Sequence, residues 1–216
     1  MRRILVVDDH EVVRDGVKRI FEEQPGTTAF GDASTAWEAL QLISEDDWDI
    51  VVLDLSLGGG RSGLDLLKEL KQVRPRIPVL ILSMHSEEQY ARRAFKAGAA
   101  GYITKDSSRA ELSKAIDKVI KGGKYVSPVL AEKLVTYLEK GADAAPHDTL
   151  SDREFQVMRL IASGKTVSEI AELLTLSDKT ISTYRARILE KMAMKTNAEL
   201  THYVIQNRLL EEDAIG

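Results

Sequence analysis

Five times between Arg3 and about Lys121 a short apolar run is followed by an amphipathic stretch, and no other feature constrains the fold as tightly. The pairs are RILVV with VVRDGVKRIFEE, TTAFGDA with TAWEALQLISE, IVVLDL with GLDLLKELKQV, VLILS with EQYARRAFKAG, and GYIT with RAELSKAIDKVIKG. The short runs are rich in Val, Ile or Leu. The longer ones space their apolar residues by three and four, so each pair reads as a strand followed by a helix. Five such units need a parallel sheet with helices on both faces. TTAFGDA is the least convincing of the five strands.

Past Gly122 the strands stop. SPVLAEKLVTYLEK reads as a helix with Pro128 near its start, and the small, polar GADAAPHDT reads as a linker. From Leu150 the pattern is all helical. LSDREFQVMRLIASG opens with a capping-box pair, Ser151 and Glu154, and ends at Gly164. TVSEIAELLTL, SDKTISTYRARILEKM and TNAELTHYVIQNRLL follow with short joints between them. A chain of 216 residues suits two domains. The expected division is an α/β domain over residues 1–121, a linker with a helix over 122–149, and a helical domain over 150–216.

The 44% hydrophobic content allows a substantial core. With no cysteine there is no disulfide framework and no thiolate zinc site, and His10, His85, His147 and His202 are too scattered to suggest a metal cluster. In MRRILVVDD the two aspartates end the apolar run too early for a signal peptide, and no apolar run is long enough to span a bilayer. A cytoplasmic location and no membrane partner are therefore expected.

In an open parallel sheet, chemistry is expected where loops leave the carboxyl ends of the strands. Asp8 and Asp9 follow the first strand, Asp54 ends the third, Ser83 ends the fourth, and Lys105 follows the fifth. If the strand order is 2-1-3-4-5, Asp8, Asp9 and Asp54 share one pocket. Two adjacent carboxylates at a strand end repel unless a cation sits between them. Three suit a magnesium ion, and a lysine with a hydroxyl beside them suits a phosphoryl group. Asp54 would then be a nucleophile forming an acyl phosphate. Taken singly, each residue has a plainer reading: Asp8 or Asp9 as a cap or turn residue, Lys105 as a solvated charge, Ser83 as a strand-end hydroxyl, Tyr102 as packed core with its hydroxyl at the surface.

Together, Asp8-Asp9, Asp54, Ser83 and Lys105, with Tyr102 three before the lysine in GYITK, resemble the receiver domain of two-component response regulators. The resemblance covers roughly the first 120 residues and implies the flavodoxin-like, doubly wound fold. It implies Asp54 as phosphoacceptor, Asp9, Asp54 and the backbone carbonyl of Ser56 as magnesium ligands, and Asp8 acting mainly through water. It also implies Ser83 and Tyr102 as a switch pair and Lys105 as the holder of a phosphoryl oxygen. LSLGGGRSGLD departs from the family, with Gly58 where a proline usually stands and one extra residue. Three adjacent glycines widen the backbone choices there and bear on phosphate lifetime. His10 and His85 read as structural or solvent-facing, His85 being two past Ser83.

In the helical segment the charge is uneven. Between Lys179 and Lys195, Lys179, Arg185, Arg187, Lys191 and Lys195 face only Glu190, which forms a local basic strip. With SEIAELL and a turn through Leu176-Ser177 this is a helix-turn-helix pattern. LSDRE, LIASGKTVSEIAELLTLS and KTIS…ILEKM resemble the LuxR-like DNA-binding domain of NarL/FixJ-type regulators. At about 100° per residue, Ile181, Ile188 and Met192 share one face, while Lys179, Thr183, Ala186 and Arg187 lie opposite with Ser182 at the flank. These five are the expected groove-facing set. Arg185 falls nearer the buried side, from which it would snorkel to a phosphate. Ser182 and Tyr184 stand where the family commonly has lysine and histidine, so target preference should be this chain's own.

The expected protein is a transcriptional regulator switched by phosphorylation of Asp54, with a sensor histidine kinase, promoter DNA and a second copy of itself as partners. It is not an enzyme beyond its own phosphoryl transfer and acyl phosphate hydrolysis. An aspartate-nucleophile phosphatase would need an aspartate where Ser56 stands, and a nucleotide-binding protein would need a glycine-rich turn where the chain reads DDH.

Overall fold

The computed structural model describes residues 2–22, 27–57, 62–84, 88–139, 145–207 and 209–210. The chain divides into two compact units, 1–137 and 138–216.

The first unit carries five parallel strands in the order β2-β1-β3-β4-β5: β1 Arg2–Val7, β2 Thr27–Ala33, β3 Ile50–Leu53, β4 Val79–Ser83 and β5 Gly101–Thr104. Helices α1 Glu11–Glu22, α2 Ala36–Glu45, α3 Gly63–Val73, α4 Glu88–Lys96 and α5 Arg109–Ile120 alternate with them, and α6 Pro128–Glu139 follows with Pro128 as its first residue. β1 reverses the order, with β2 on one side and β3 on the other, so its carboxyl end opens at a topological switch point. Ile4, Val6, Ile50, Val52, Leu80, Leu82 and Ile103 bury one face of the sheet against Val17 and Phe21 of α1 and Leu112, Ile116 and Val119 of α5.

β2 forms despite its weak sequence signal, and Gly31 gives the reason. A Cβ there would lie 2.3 Å from the Trp48 ring, so the glycine makes room for Trp48 to lie across an edge strand. Beyond β5, Tyr125 makes an isolated parallel bridge, accepting from the Tyr102 amide at 2.9 Å and donating its own to Ala100 at 3.0 Å.

The second unit holds a 3₁₀ turn, Pro146–Thr149, and helices α7 Asp152–Ala162, α8 Val167–Leu174, α9 Asp178–Lys191 and α10 Asn197–Gln206. Each helix begins at a hydroxyl cap: Ser151, Thr166, Ser177 and Thr196 accept from the amides of Glu154, Glu169, Thr180 and Glu199. The Ser151/Glu154 pair closes a full capping box. His147, at the end of the expected linker, is buried, and its Nδ1 lies 2.7 Å from the Tyr203 hydroxyl. Among the described residues no helix is long and apolar enough to cross a membrane.

Candidate functional site

The register of the sheet brings the acidic residues together. The Asp54 amide donates to Val7 at 2.9 Å, so the first residue after β3 stands beside the end of β1. The Asp8 amide donates to Ala33 of β2, and the Lys105 amide donates to Ser83 at 2.8 Å. Asp8 and Asp54 are each 1% exposed, and Ser83 is fully buried. Lys105 Nζ lies 2.7 Å from Asp54 Oδ2, as a hydrogen bond, and 2.7 Å from Asp8 Oδ2. The Asp8 contact is a buried ion pair of the same length. Asp54 Oδ1 accepts from the Ser56 amide at 3.1 Å.

Burial pushes the Asp54 carboxyl above its usual range, and the neighbouring Asp8 charge adds to this against the pull of Lys105 and the Ser56 amide. Burial also pulls the Lys105 ammonium down, but the hydrogen bonds and charges of Asp54 and Asp8 outweigh it and hold the lysine cationic. One ammonium thus serves two buried carboxylates, and the exposed Asp9 adds another carboxylate nearby. Asp8, Asp9, His10 and Asp54 each offer a ligand atom within 4.8 Å of the others. The donors fit a hard divalent cation: they are mostly carboxylate oxygens and carry an excess of negative charge.

Of the two switch candidates, Ser83 lies at the carboxyl end of its strand and Tyr102 within its own. Ser83 ends β4, and Tyr102, 1% exposed, lies on the neighbouring β5, paired with Ile81. The plainer reading of Tyr102 left its hydroxyl at the surface, whereas the whole residue is buried.

In the helical unit, α8 and α9 join through Thr175, whose φ of 54° and ψ of 47° are left-handed. Ser168 Oγ donates to Asp178 at 2.7 Å across this turn. α9 buries Ile181, Ile188 and Met192, and leaves Lys179, Ser182, Thr183, Ala186 and Arg187 exposed. Its far end is tied to α7 by Lys191 Nζ, 2.6 Å from Glu154 Oε2. Arg185 is half-buried, and its Nε donates to Asn197 Oδ1 at 2.7 Å.

Residues 4–117 match the response regulator receiver domain, and residues 148–204 match the luxR family of bacterial regulatory proteins. The response regulator UvrY of Escherichia coli is 33% identical over 217 residues, covering 100% of this chain and 99% of UvrY. The chain belongs to the response regulator family. This response regulator is of the NarL/FixJ type, with a receiver followed by a LuxR-type helix-turn-helix domain. Among solved structures, the RcsB response regulator of Salmonella typhimurium is 25% identical, with a TM-score of 0.62 over 94% of this chain and 99% of RcsB. An RcsB–DNA complex is also 25% identical, with a TM-score of 0.59 over 94% of this chain and 97% of the other.

Three residues of this response regulator carry more of the site than their sequence positions suggest. His10 is not merely solvent-facing: its Nδ1 lies 2.7 Å from Asp9 Oδ1 and 3.2 Å from Asp8 Oδ1. Its place directly after the acid pair is the signal that could have found it. Gly63 donates its amide to Leu55 at 2.9 Å, and a Cβ there would fall 2.0 Å from the Asp54 carbonyl oxygen. Any side chain would push the backbone of the central aspartate, so the last glycine of GGGRSGLD is fixed by close approach. Arg14, one turn into α1, reaches back to the Asp8 carbonyl at 2.8 Å. Gly58, Gly59 and Gly60 of the departing loop, and His85, lie outside the described residues.

Proposed function

We propose that Asp54 is the phosphoacceptor, within a receiver of residues 1–121 joined through residues 122–149 to a DNA-binding domain of residues 150–216. The observation that carries this reading is the pairing of Asp54 with Lys105 beside Asp8 at the switch point of the sheet. A carboxylate oxygen of Asp54 attacks phosphorus, the bond to the donor's leaving group breaks, and an acyl phosphate forms. The Asp54 charge that held Lys105 is lost in that step. The ammonium then pairs with a phosphoryl oxygen, and the Ser83 hydroxyl and the Tyr102 ring reposition around it. Asp9, Asp54 and the Ser56 carbonyl are the proposed ligands of a magnesium ion, with Asp8 acting mainly through water. When bound, magnesium supplies charge neutralisation for the entering phosphoryl oxygens. The same residues support hydrolysis of the acyl phosphate, and no other catalysis is proposed.

The phosphodonor is a sensor histidine kinase, and the setting is the cytoplasm, where the DNA is. Moving a two-state receiver from 1:99 to 99:1 takes about 5.5 kcal/mol of differential stabilisation, within the reach of a charged phosphoryl group with its metal. The shifted state favours a homodimer on promoter DNA.

On α9, Lys179, Ser182, Thr183, Ala186 and Arg187 are the proposed DNA-facing residues. Thr183 Oγ1 donates its proton to the Lys179 carbonyl at 2.9 Å, so it meets a base as an acceptor and a methyl group. That suits an adenine or cytosine amino group, or a thymine methyl. The small Ser182 and Ala186 let the helix approach closely.

The test is labelling of the full chain by a small phosphodonor with magnesium. One carboxylate should be labelled, chelation should prevent it, and Asp54→Ala should abolish it. Undiminished labelling of the Asp54→Ala protein would overturn the assignment.

A further inference from the structure

We propose that Arg14 is a positioning residue for phosphoryl transfer: its guanidinium pins the peptide that carries Asp8 and Asp9, and so sets cation affinity at Asp54. The proposal rests on the reading of Asp54 as phosphoacceptor.

The Asp8 amide makes the last contact of β1 with β2, donating to Ala33 at 3.1 Å. The carbonyl of the same residue lies beyond that rung and accepts instead from Arg14 Nη1 at 2.8 Å. Asp8 is therefore held on both sides of its Cα, and the peptide leading into Asp9 is fixed in the same stroke. The His10 amide, donating to Asp8 Oδ1 at 2.9 Å, closes the turn from the side-chain end.

Arg14 is itself anchored. Its Nε donates to Asp32 Oδ2 on β2 at 3.0 Å, and its side chain is only 15% exposed. The fork of the guanidinium joins β2 to the residue that follows β1, one N–H to each, which a lysine ammonium cannot reproduce with the same rigidity. Asp32 is 56% exposed, so solvent screens that ion pair and it adds little to stability by itself. The contact at the Asp8 carbonyl is a different matter, because it orients groups that must converge on one ion.

The sign of the effect separates this role from simple electrostatics. A guanidinium beside a cation site repels the ion, so removing its charge should tighten cation binding if charge were all that mattered. If Arg14 acts by positioning, removing it should weaken binding. Partners behind metal ligands typically change affinity by roughly tenfold or more when lost.

The experiment measures magnesium binding to the full chain by calorimetry, and the magnesium midpoint and saturated rate of labelling by a small phosphodonor. For Arg14→Met the dissociation constant and the midpoint should both rise roughly tenfold, with the saturated rate within about threefold of wild type. Arg14→Lys, which keeps the charge and loses the fork, should resemble Arg14→Met. Asp32→Asn should shift the midpoint in the same direction by a smaller factor, and it serves as the test if the Arg14 variants do not fold. Unchanged or tighter magnesium binding in the folded variants would overturn the proposal. Failure of the Asp54 reading would show separately, as labelling that survives Asp54→Ala while the calorimetric shift at Arg14 remains.

Discussion

Lys105 Nζ stands 2.7 Å from Asp8 Oδ2 and 2.7 Å from Asp54 Oδ2, one buried cation between two buried carboxylates. A group in that place senses the charge state of Asp54 directly, because phosphorylation removes the negative charge it pairs with. Lys105→Ala should leave some phosphorylation, since the nucleophile and the cation ligands remain, but uncouple it from DNA affinity. The measurement is phosphate-dependent DNA binding by the Lys105→Ala protein. A response equal to wild type would show that the switch does not pass through Lys105.

The tie between Glu154 and Lys191 makes stability of the helical unit depend on pH. Burial pushes Glu154 up, but the hydrogen bond and charge of Lys191 and the amide and hydroxyl of Ser151 outweigh it and leave the group below its ordinary 4.5. A lowered carboxyl contributes stability above its unfolded value and loses it as pH falls through the folded one. Glu154→Gln keeps the cap and removes the charge. It should cost about 1 kcal/mol at pH 7, in line with hydrogen bonds to charged groups of which Lys191 is half-exposed. The gap between wild type and variant, read from chemical unfolding of the full chain, should shrink below pH 4.5. A gap that stays constant down to pH 3 would contradict the direction of the shift.

On α9 the exposed face separates two kinds of contact. Lys179→Ala should weaken binding to a selected duplex and a scrambled one alike and reduce the salt slope by about one unit. Thr183→Ala should weaken the selected duplex in particular, by about 1 to 3 kcal/mol if its acceptor meets a base edge. The check is titration of both variants against both duplexes at several salt concentrations. An unchanged slope for Lys179→Ala, with equal weakening of both duplexes by Thr183→Ala, would mean that α9 docks in another way.

Much of this was legible in the sequence because Val-, Ile- and Leu-rich runs of strand length and helices of period 3.6 leave few alternatives. The order β2-β1-β3-β4-β5 is implied by the resemblance to receivers rather than by the strand pattern, and by setting β1 beside β3 it brings Asp8 beside Asp54. β2 was hard to read because its pattern is broken by Gly31, which answers to a distant ring, that of Trp48. Gly63 and Arg14 were missed for a related reason. One is defined by a close approach to the Asp54 backbone and the other by a bond to a backbone carbonyl, and neither leaves a side-chain pattern. Arg185, expected to reach outward, is bonded to Asn197, a partner that only the packing of α10 brings near. His147 lay in a stretch whose small, polar composition read as linker, yet Tyr203 and Phe155 enclose it.

The most direct measurement is DNA affinity of the full chain with and without a small phosphodonor and magnesium, for wild type and Asp54→Ala side by side. A switch at Asp54 predicts that affinity of the wild type rises by roughly tenfold or more on labelling, the size typical of coupled sites, and that Asp54→Ala shows no rise. An equal rise in Asp54→Ala, or no rise in fully labelled wild type, would contradict it.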